Sequence, residues 1–372
     1  MVELIWKDKY NFTRQGIGDQ QKVTTFSPSY TPHLHILESF NEQPKAEHSG
    51  TTHQITPGWH NRLIWGDKND VLPALLAEFA ECINLIYIDP PFMTGRNFKS
   101  GTQLAYCDKW DNNLDTYLQW LYETFVLLRL LLAPNGSLYV HLDWRVIHYA
   151  KVILDEVFGF SSNAKGPGFK NEIIWHYESG GRTQKSYARK HDTLLLYTKS
   201  AQYCFHGERI GERRGTHKRN HMRKQVETDG HVRWTIRSAG QLYSYDQDEI
   251  MTLSDVWSDI SHLHQKDPER TGYASQKPAA LLRRIILASS EENDLVLDCF
   301  CGSGVTPVMA EQLGRRWIAS DASHLAIEMT QKRLLASEQA QSFILQQAVH
   351  QADEHTLENE TDYAGGTIKS IT

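Results

Sequence analysis

A chain of 372 residues, 40% of them hydrophobic, is long enough for one large core with a smaller inserted unit. The formal net charge of −6 excludes a uniformly basic nucleic-acid binder. No apolar run approaches the ~20 residues that cross a bilayer.

Met1 to Lys9 lacks the charged-then-apolar layout of a signal peptide. Five cysteines (Cys82, Cys107, Cys204, Cys299, Cys301) form no Cys-x-x-Cys pair and no zinc-like His/Cys spacing. They are expected to be small reduced core residues in a cytoplasmic protein, and no metal is expected. Residues 1–60, mixed in Thr, Pro, Gln, His and Gly, predict an irregular lead-in.

An α/β rhythm begins at residue 61: a strand over 61–66, a helix near 69–80 and a strand over 84–88. Asp89-Pro90-Pro91-Phe92 follows that strand. A helix over 114–132 ends at the turn signal Pro134-Asn135-Gly136, before a buried strand over 137–142 and a helix over 145–157. Residues 171–175 and 193–197 predict a hairpin closing the sheet, and Ser179-Gly180-Gly181-Arg182 between them could face a polyanion.

Residues 200–252 break the rhythm. Arg213, Arg214, Lys218, Arg219, Arg223, Lys224 and Arg233 are interleaved with Phe205, Trp234, Tyr243 and Tyr245. Such a segment can bind phosphates and read base edges in duplex DNA; the alternative is a solvated insertion with a small aromatic core. Pro278 then opens a helix through Leu287. The strand 295–297 runs into Asp298-Cys299-Phe300-Cys301-Gly302-Ser303-Gly304 and a helix over 305–313. The strand 316–320 ends at Asp321, and residues 338–372 predict a partly disordered polar tail.

The two strand-end loops carry the chemistry, since ligands in open α/β sheets sit beyond the carboxyl ends of strands. Gly302 and Gly304 permit a tight turn and close backbone approach. Pro307 stands near where a dinucleotide fingerprint needs its third glycine, and no Walker Lys-Ser/Thr follows. A phosphate-free nucleoside cofactor, S-adenosylmethionine, fits better. Asp298 and the loop from Phe300 would hold its methionine part, and Asp321 its ribose. Asp67, after Gly66, is either a further cofactor contact or a helix cap.

A base amine is a poor nucleophile because its lone pair is delocalised into the ring. The Asp89 carboxylate and the Pro90 carbonyl, stiffened by Pro90 and Pro91, offer two acceptors for its N–H groups. Phe92 offers a flat face to a base taken out of its helix.

On these motifs the chain resembles the β group of DNA amino-methyltransferases, over roughly residues 61–337. There the catalytic motif precedes the cofactor motif and the target-recognition segment lies between them. Leu63 to Leu72, Asp255 to Ile260 and Gln276-Lys277-Pro278 are similar to the family's flanking segments, which implies Lys277 as a cofactor-side residue. Phe92 to Arg96 resembles a segment of type III modification subunits. Phe92 stands where Tyr is common, and Cys301 where Ala is usual. The resemblance implies a Rossmann-like S-adenosylmethionine-dependent sheet of circularly permuted motif order with an inserted target-recognition region. The expected division is a lead-in (1–60), a catalytic half (61–199), a target-recognition region (200–252), a cofactor half (253–337) and a tail (338–372).

The expected activity is methyl transfer to adenine N6 in duplex DNA by base flipping. Alternatives are cytosine N4, an RNA amine, a glutamine amide, or a catalytically silent DNA-binding subunit. A restriction-type nuclease partner and a homodimer are implied by resemblance only.

Overall fold

The structure, a computed structural model, describes residues 3–7, 9, 32–40, 58–111, 113–160, 165–178, 183–215, 221–337 and 341–349. In chain order its strands are β1 (His33–Phe40), β2 (Asn61–Trp65), β3 (Ile83–Ile88), β4 (Arg96–Ser100), β5 (Gln103–Asp108), β6 (Leu132–Leu142), β7 (Gly168–His176) and β8 (His191–Thr198). There follow β9 (Glu212–Arg213), β10 (Arg223–Val226), β11 (Val232–Ser238), β12 (Gln241–Asp246), β13 (Ile250–Met251), β14 (Val256–Trp257), β15 (Leu295–Asp298), β16 (Arg316–Asp321) and β17 (Phe343–Val349).

Ten strands form one sheet in the order β1-β17-β2-β16-β15-β3-β6-β8-β7-β14. From β17 to β6 every neighbouring pair is parallel, and β8 enters antiparallel between β6 and β7. Both faces are covered, so the central strands are apolar along their length. On one face Ile86, Ile88, Leu138, Val140, Leu295 and Leu297 pack against helices Lys68–Phe79, Leu114–Leu131 and Ile147–Phe158. On the other, Leu85, Tyr87, Tyr139, Val296 and Trp317 pack against helices Ala279–Ser289, Val305–Gln312 and His324–Leu335. Burying each Leu or Ile contributes about 1.5–3 kcal/mol, so this two-sided core dominates stability.

Several expectations need correction. Residues 338–372 are not all tail: Phe343–Val349 is β17, inside the sheet between β1 and β2. The lead-in 1–60 is not wholly irregular, because β1 pairs antiparallel with β17. Trp6 is buried, and Lys9 pairs with Glu156 at 2.7 Å. Polar Gln346 and Gln347 hide β17 from a hydrophobicity reading, while its parallel ladder to β2 satisfies the backbone. The turn Pro134-Asn135-Gly136 is absorbed into β6, beside a register shift between Ile83 and Leu85. The β7/β8 hairpin forms as expected, but two-residue β14 lies outside it at the edge. Ser179 to Arg182 lie outside the described residues. Only Cys299 and Cys301 are core cysteines; Cys82 and Cys107 are exposed.

Candidate active site

β3 and β15 are adjacent and parallel, with Leu297 opposite Ile86, so the loops that follow them leave the sheet side by side. Asp89, Pro90, Pro91 and Phe92 line one cavity of about 860 Å³ together with Asp298, Phe300, Gly302 and Asp321. Asp67 and Lys277 also face it, whereas Gly304 stands behind, as the cap of helix Val305–Gln312.

The glycine loop is knitted by the two acids expected to hold a ligand. Asp298 Oδ1 accepts from the Phe300 N–H at 3.0 Å, and Oδ2 accepts from Thr306 Oγ1 at 2.5 Å. Asp321 accepts from the N–H groups of Gly302 at 2.9 Å and Ser323 at 2.8 Å. Each oxygen keeps a lone pair for a ligand, so the acids shape the loop as well as face the cavity. Burial pushes Asp298 up to about 7, against the bonds from Thr306 and Phe300, and burial pushes Asp321 up to about 6. Gly302 and Gly304 have φ of +50° and +74°. A Cβ on Gly304 would lie 2.7 Å from Thr330 Oγ1, which is why glycine is required there. Asp67 caps helix Lys68–Phe79 through the Asn69 N–H at 2.9 Å while also facing the cavity. Beside it Lys68 is buried, and desolvation lowers it to about 8 despite Glu123 and Asp67.

The Asp89–Phe92 loop is held from behind by Asp108, which no sequence motif marks. Its carboxylate accepts from the N–H groups of Met93 (2.9 Å) and Thr94 (2.8 Å), from Thr94 Oγ1 (2.7 Å) and from Trp110 Nε1 (3.1 Å). Tyr117 donates to the Pro91 carbonyl at 2.7 Å. The β4/β5 hairpin that carries Asp108 is tied to the segment before Lys277 by Ser100 to the Gly272 carbonyl (2.8 Å) and Tyr106 to Ser275 (3.0 Å).

Lys277, expected on the cofactor side, lines the same cavity; its ammonium pairs with Asp89 Oδ2 and lies 5.3 Å from the Phe92 ring centre. Asp89 Oδ1 is buried with no partner among the described residues. Behind Phe92 runs a polar chain that sequence reasoning missed. Tyr87 OH meets His141 Nδ1 at 2.9 Å, His141 Nε2 meets Asp192 at 3.3 Å, and Tyr177 donates to Asp192 at 2.9 Å. Burial raises Asp192, but the bond and charge of His141, the Lys277 charge and the Tyr177 bond together outweigh it, and the carboxyl is held below its usual range. Residues at such separations leave no local pattern to find.

The basic segment is only partly exposed. β10, β11 and β12 form a separate antiparallel sheet around buried Trp234. Arg223, Lys224 and Arg233 are exposed on it, with Arg233 paired to Glu227 at 3.2 Å. Arg213 is exposed and pairs with Asp248 at 3.2 Å. Arg214 is the correction: it is buried, with its guanidinium 4.1 Å from the Tyr245 ring centre. Lys218 and Arg219 lie outside the described residues. Cys204, His206 and Glu291 converge within 4.8 Å despite their unpromising spacing, but Arg209 already pairs with Glu291 at 2.7 Å.

No helix among the described residues is long and apolar enough to cross a membrane. Residues 83–332 match the family model described as DNA methylase, N6_N4_Mtase. Type II methyltransferase M.HpaI of Haemophilus parainfluenzae is 30% identical over 253 residues, 68% of each chain. DNA adenine methyltransferase YhdJ of Escherichia coli is 28% identical over 267 residues, 71% of this chain and 80% of that one. The solved PvuII DNA methyltransferase (cytosine-N4-specific) superposes with a TM-score of 0.50 at 17% identity, covering 75% of this chain and 88% of that one, and supports the fold. With the Asp89–Phe92 loop before the Asp298–Gly304 loop on one doubly covered sheet, the chain belongs to the N6/N4 DNA methylases, in the β group of DNA amino-methyltransferases.

Proposed function

We propose that this chain is a site-specific DNA methyltransferase acting on adenine N6, with S-adenosylmethionine as the methyl donor. The observation that carries the reading is the single cavity lined by both the Asp89-Pro90-Pro91-Phe92 loop and the Asp298–Gly304 loop. Three acids, Asp67, Asp298 and Asp321, face the cofactor side, which suits a cationic ligand with hydroxyls. Trp120 and Phe300 supply apolar surface there, their ring centres 5.4 Å apart. When bound, the donor supplies an electrophilic methyl group on a sulfonium.

The chain's part is to place and polarise the amine. Asp89 and the Pro90 carbonyl accept from its N–H groups and turn its lone pair toward the methyl group. Phe92 stacks on the base, with the His141 ring behind it at 6.1 Å. Asp108 and Tyr117 fix the loop, and Asp298 and Asp321 fix the opposing one, so reactant alignment is built before binding.

Adenine is favoured over cytosine by Asp at position 89 and by the named adenine specificity of the Escherichia coli relative. Residues 200–252 are the target-recognition region, with Arg223, Lys224 and Arg233 toward phosphates, between a catalytic half (61–199) and a cofactor half (253–337). The proposal extends to a nuclease partner and a homodimer, which co-purification and sedimentation test. The direct experiment is transfer of labelled methyl groups to unmethylated duplex DNA with nucleoside analysis, comparing wild type with Asp89→Ala. Labelled N6-methyladenine that disappears in the variant is expected. Label in N4-methylcytosine overturns the base assignment, and no label in DNA overturns the substrate.

A further inference from the structure

We infer that Lys277 is a positioning residue of the catalytic loop: it holds one oxygen of Asp89 so that the other is presented to the target amine. The inference rests on the proposed reaction and deepens it.

Three observations converge. The Lys277 ammonium is bonded to Asp89 Oδ2, while Oδ1 of the same carboxylate is buried and without a partner among the described residues. A buried acceptor left unpaired is costly, and Asp89 lines the cavity, so a ligand's donor can complete it there. Both side chains are largely shielded, with 10% of Lys277 and 17% of Asp89 exposed, which strengthens the pair beyond a surface ion pair.

The segment carrying Lys277 is itself fixed. Gln276 accepts from the Thr271 N–H and hydroxyl, both at 2.8 Å, and donates to the Glu269 carbonyl at 2.9 Å. Glu269 in turn accepts from the Ala279 N–H at 2.8 Å, at the start of helix Ala279–Ser289. A lysine held on both sides by such bonds has little freedom to leave its partner.

The consequence is a division of labour within one carboxylate. Oδ2 is occupied by Lys277, and Oδ1 takes one amine N–H while the Pro90 carbonyl takes the other. The Lys277–Asp89 pair is neutral as a unit, so a cationic donor can lie beside it without meeting an uncompensated ammonium. The Phe92 ring, 5.3 Å from the same ammonium, is steadied by a cation–π contact that leaves it in place to stack.

The test uses the full-length chain and compares wild type, Lys277→Met and Lys277→Arg. S-adenosylmethionine and duplex DNA affinities are measured separately, and the single-turnover transfer rate at saturation of both. Lys277→Met is expected to lose roughly 100-fold in rate, as an ångström-scale misplacement of an acceptor does, with both affinities within about twofold of wild type. Lys277→Arg restores part of the rate because it keeps the cation. A methionine variant whose cofactor affinity collapses while its saturated rate is kept would return Lys277 to the cofactor side and overturn the inference. An unchanged or faster rate would also overturn it, showing the lysine to be dispensable or a mere occupant of the amine's place. Wild type without transfer to DNA would instead overturn the underlying reaction, and cofactor binding with a normal melting curve separates misfolding from either result.

Discussion

Asp108→Asn isolates the support of the catalytic loop from its chemistry. Asp108 is fully buried and receives four donors, two on each oxygen: Met93 N–H and Trp110 Nε1 on Oδ1, Thr94 N–H and Oγ1 on Oδ2. An amide keeps one acceptor and turns the other position into a donor that faces two donors. Two charge-assisted bonds at about 1.5–3 kcal/mol each set an upper range of about 3–6 kcal/mol. The loop borders the cavity and water can reach the freed groups, so the expected loss of stability is about 2–3 kcal/mol. Met93 has a φ of +59°, a conformation these bonds enforce, and releasing it moves Pro91 and Phe92. The rate at saturating cofactor and DNA should fall by roughly 100-fold while cofactor affinity stays within about twofold. Urea melts, calorimetric cofactor binding and single-turnover transfer read the three quantities. A variant of wild-type rate, or one that loses cofactor binding first, would refute Asp108 as the clamp of this loop.

Gly304→Ala combines a left-handed backbone, costing about 1–2 kcal/mol, with a methyl 2.7 Å from Thr330 Oγ1; a lower melting temperature and weaker cofactor binding are expected. Asp298, held at about 7, and Asp321, at about 6, keep their protons in the folded chain at pH values where the unfolded chain has lost them. Stability should therefore fall as pH rises from about 4 to about 7, and Asp298→Asn should flatten that slope in urea melts. A cationic cofactor favours both ionised acids, so its affinity should rise with pH up to about 7 and level off above it, with proton release below that pH visible in buffers of different ionisation enthalpy. Arg223→Ala and Lys224→Ala should each weaken DNA binding and reduce its salt slope by about 0.9, whereas Arg214→Ala should lower stability and leave the slope unchanged.

The central strands were legible because two-sided burial writes long apolar runs such as Leu85 to Ile88 and Leu295 to Leu297. Both strand-end loops were legible because glycine and proline are demanded there by backbone geometry, as the φ of Gly304 shows. β17 escaped because Gln346 and Gln347 sit in a strand whose place is fixed by its ladder to β2 rather than by its hydrophobicity. Asp108, His141, Asp192 and the true partner of Lys277 escaped for another reason. Each acts on a residue between 2 and 188 positions away, so no local pattern records the pairing. Arg214 was misread because charge alone does not reveal that its guanidinium is buried 4.1 Å from the Tyr245 ring centre.

The adjacency of β3 and β15 bears on when activity can arise during synthesis. The two loops of the cavity come from strands separated by about 200 residues of chain, and the acid that braces the second loop is Asp321. Loop closure over that span is rewarded only after β15 and β16 are both available to dock. A nascent chain that has exposed its catalytic tetrapeptide and its basic three-stranded sheet therefore holds no competent pocket. A competent pocket is therefore expected only once β15 and β16 have docked beside β3 and β2.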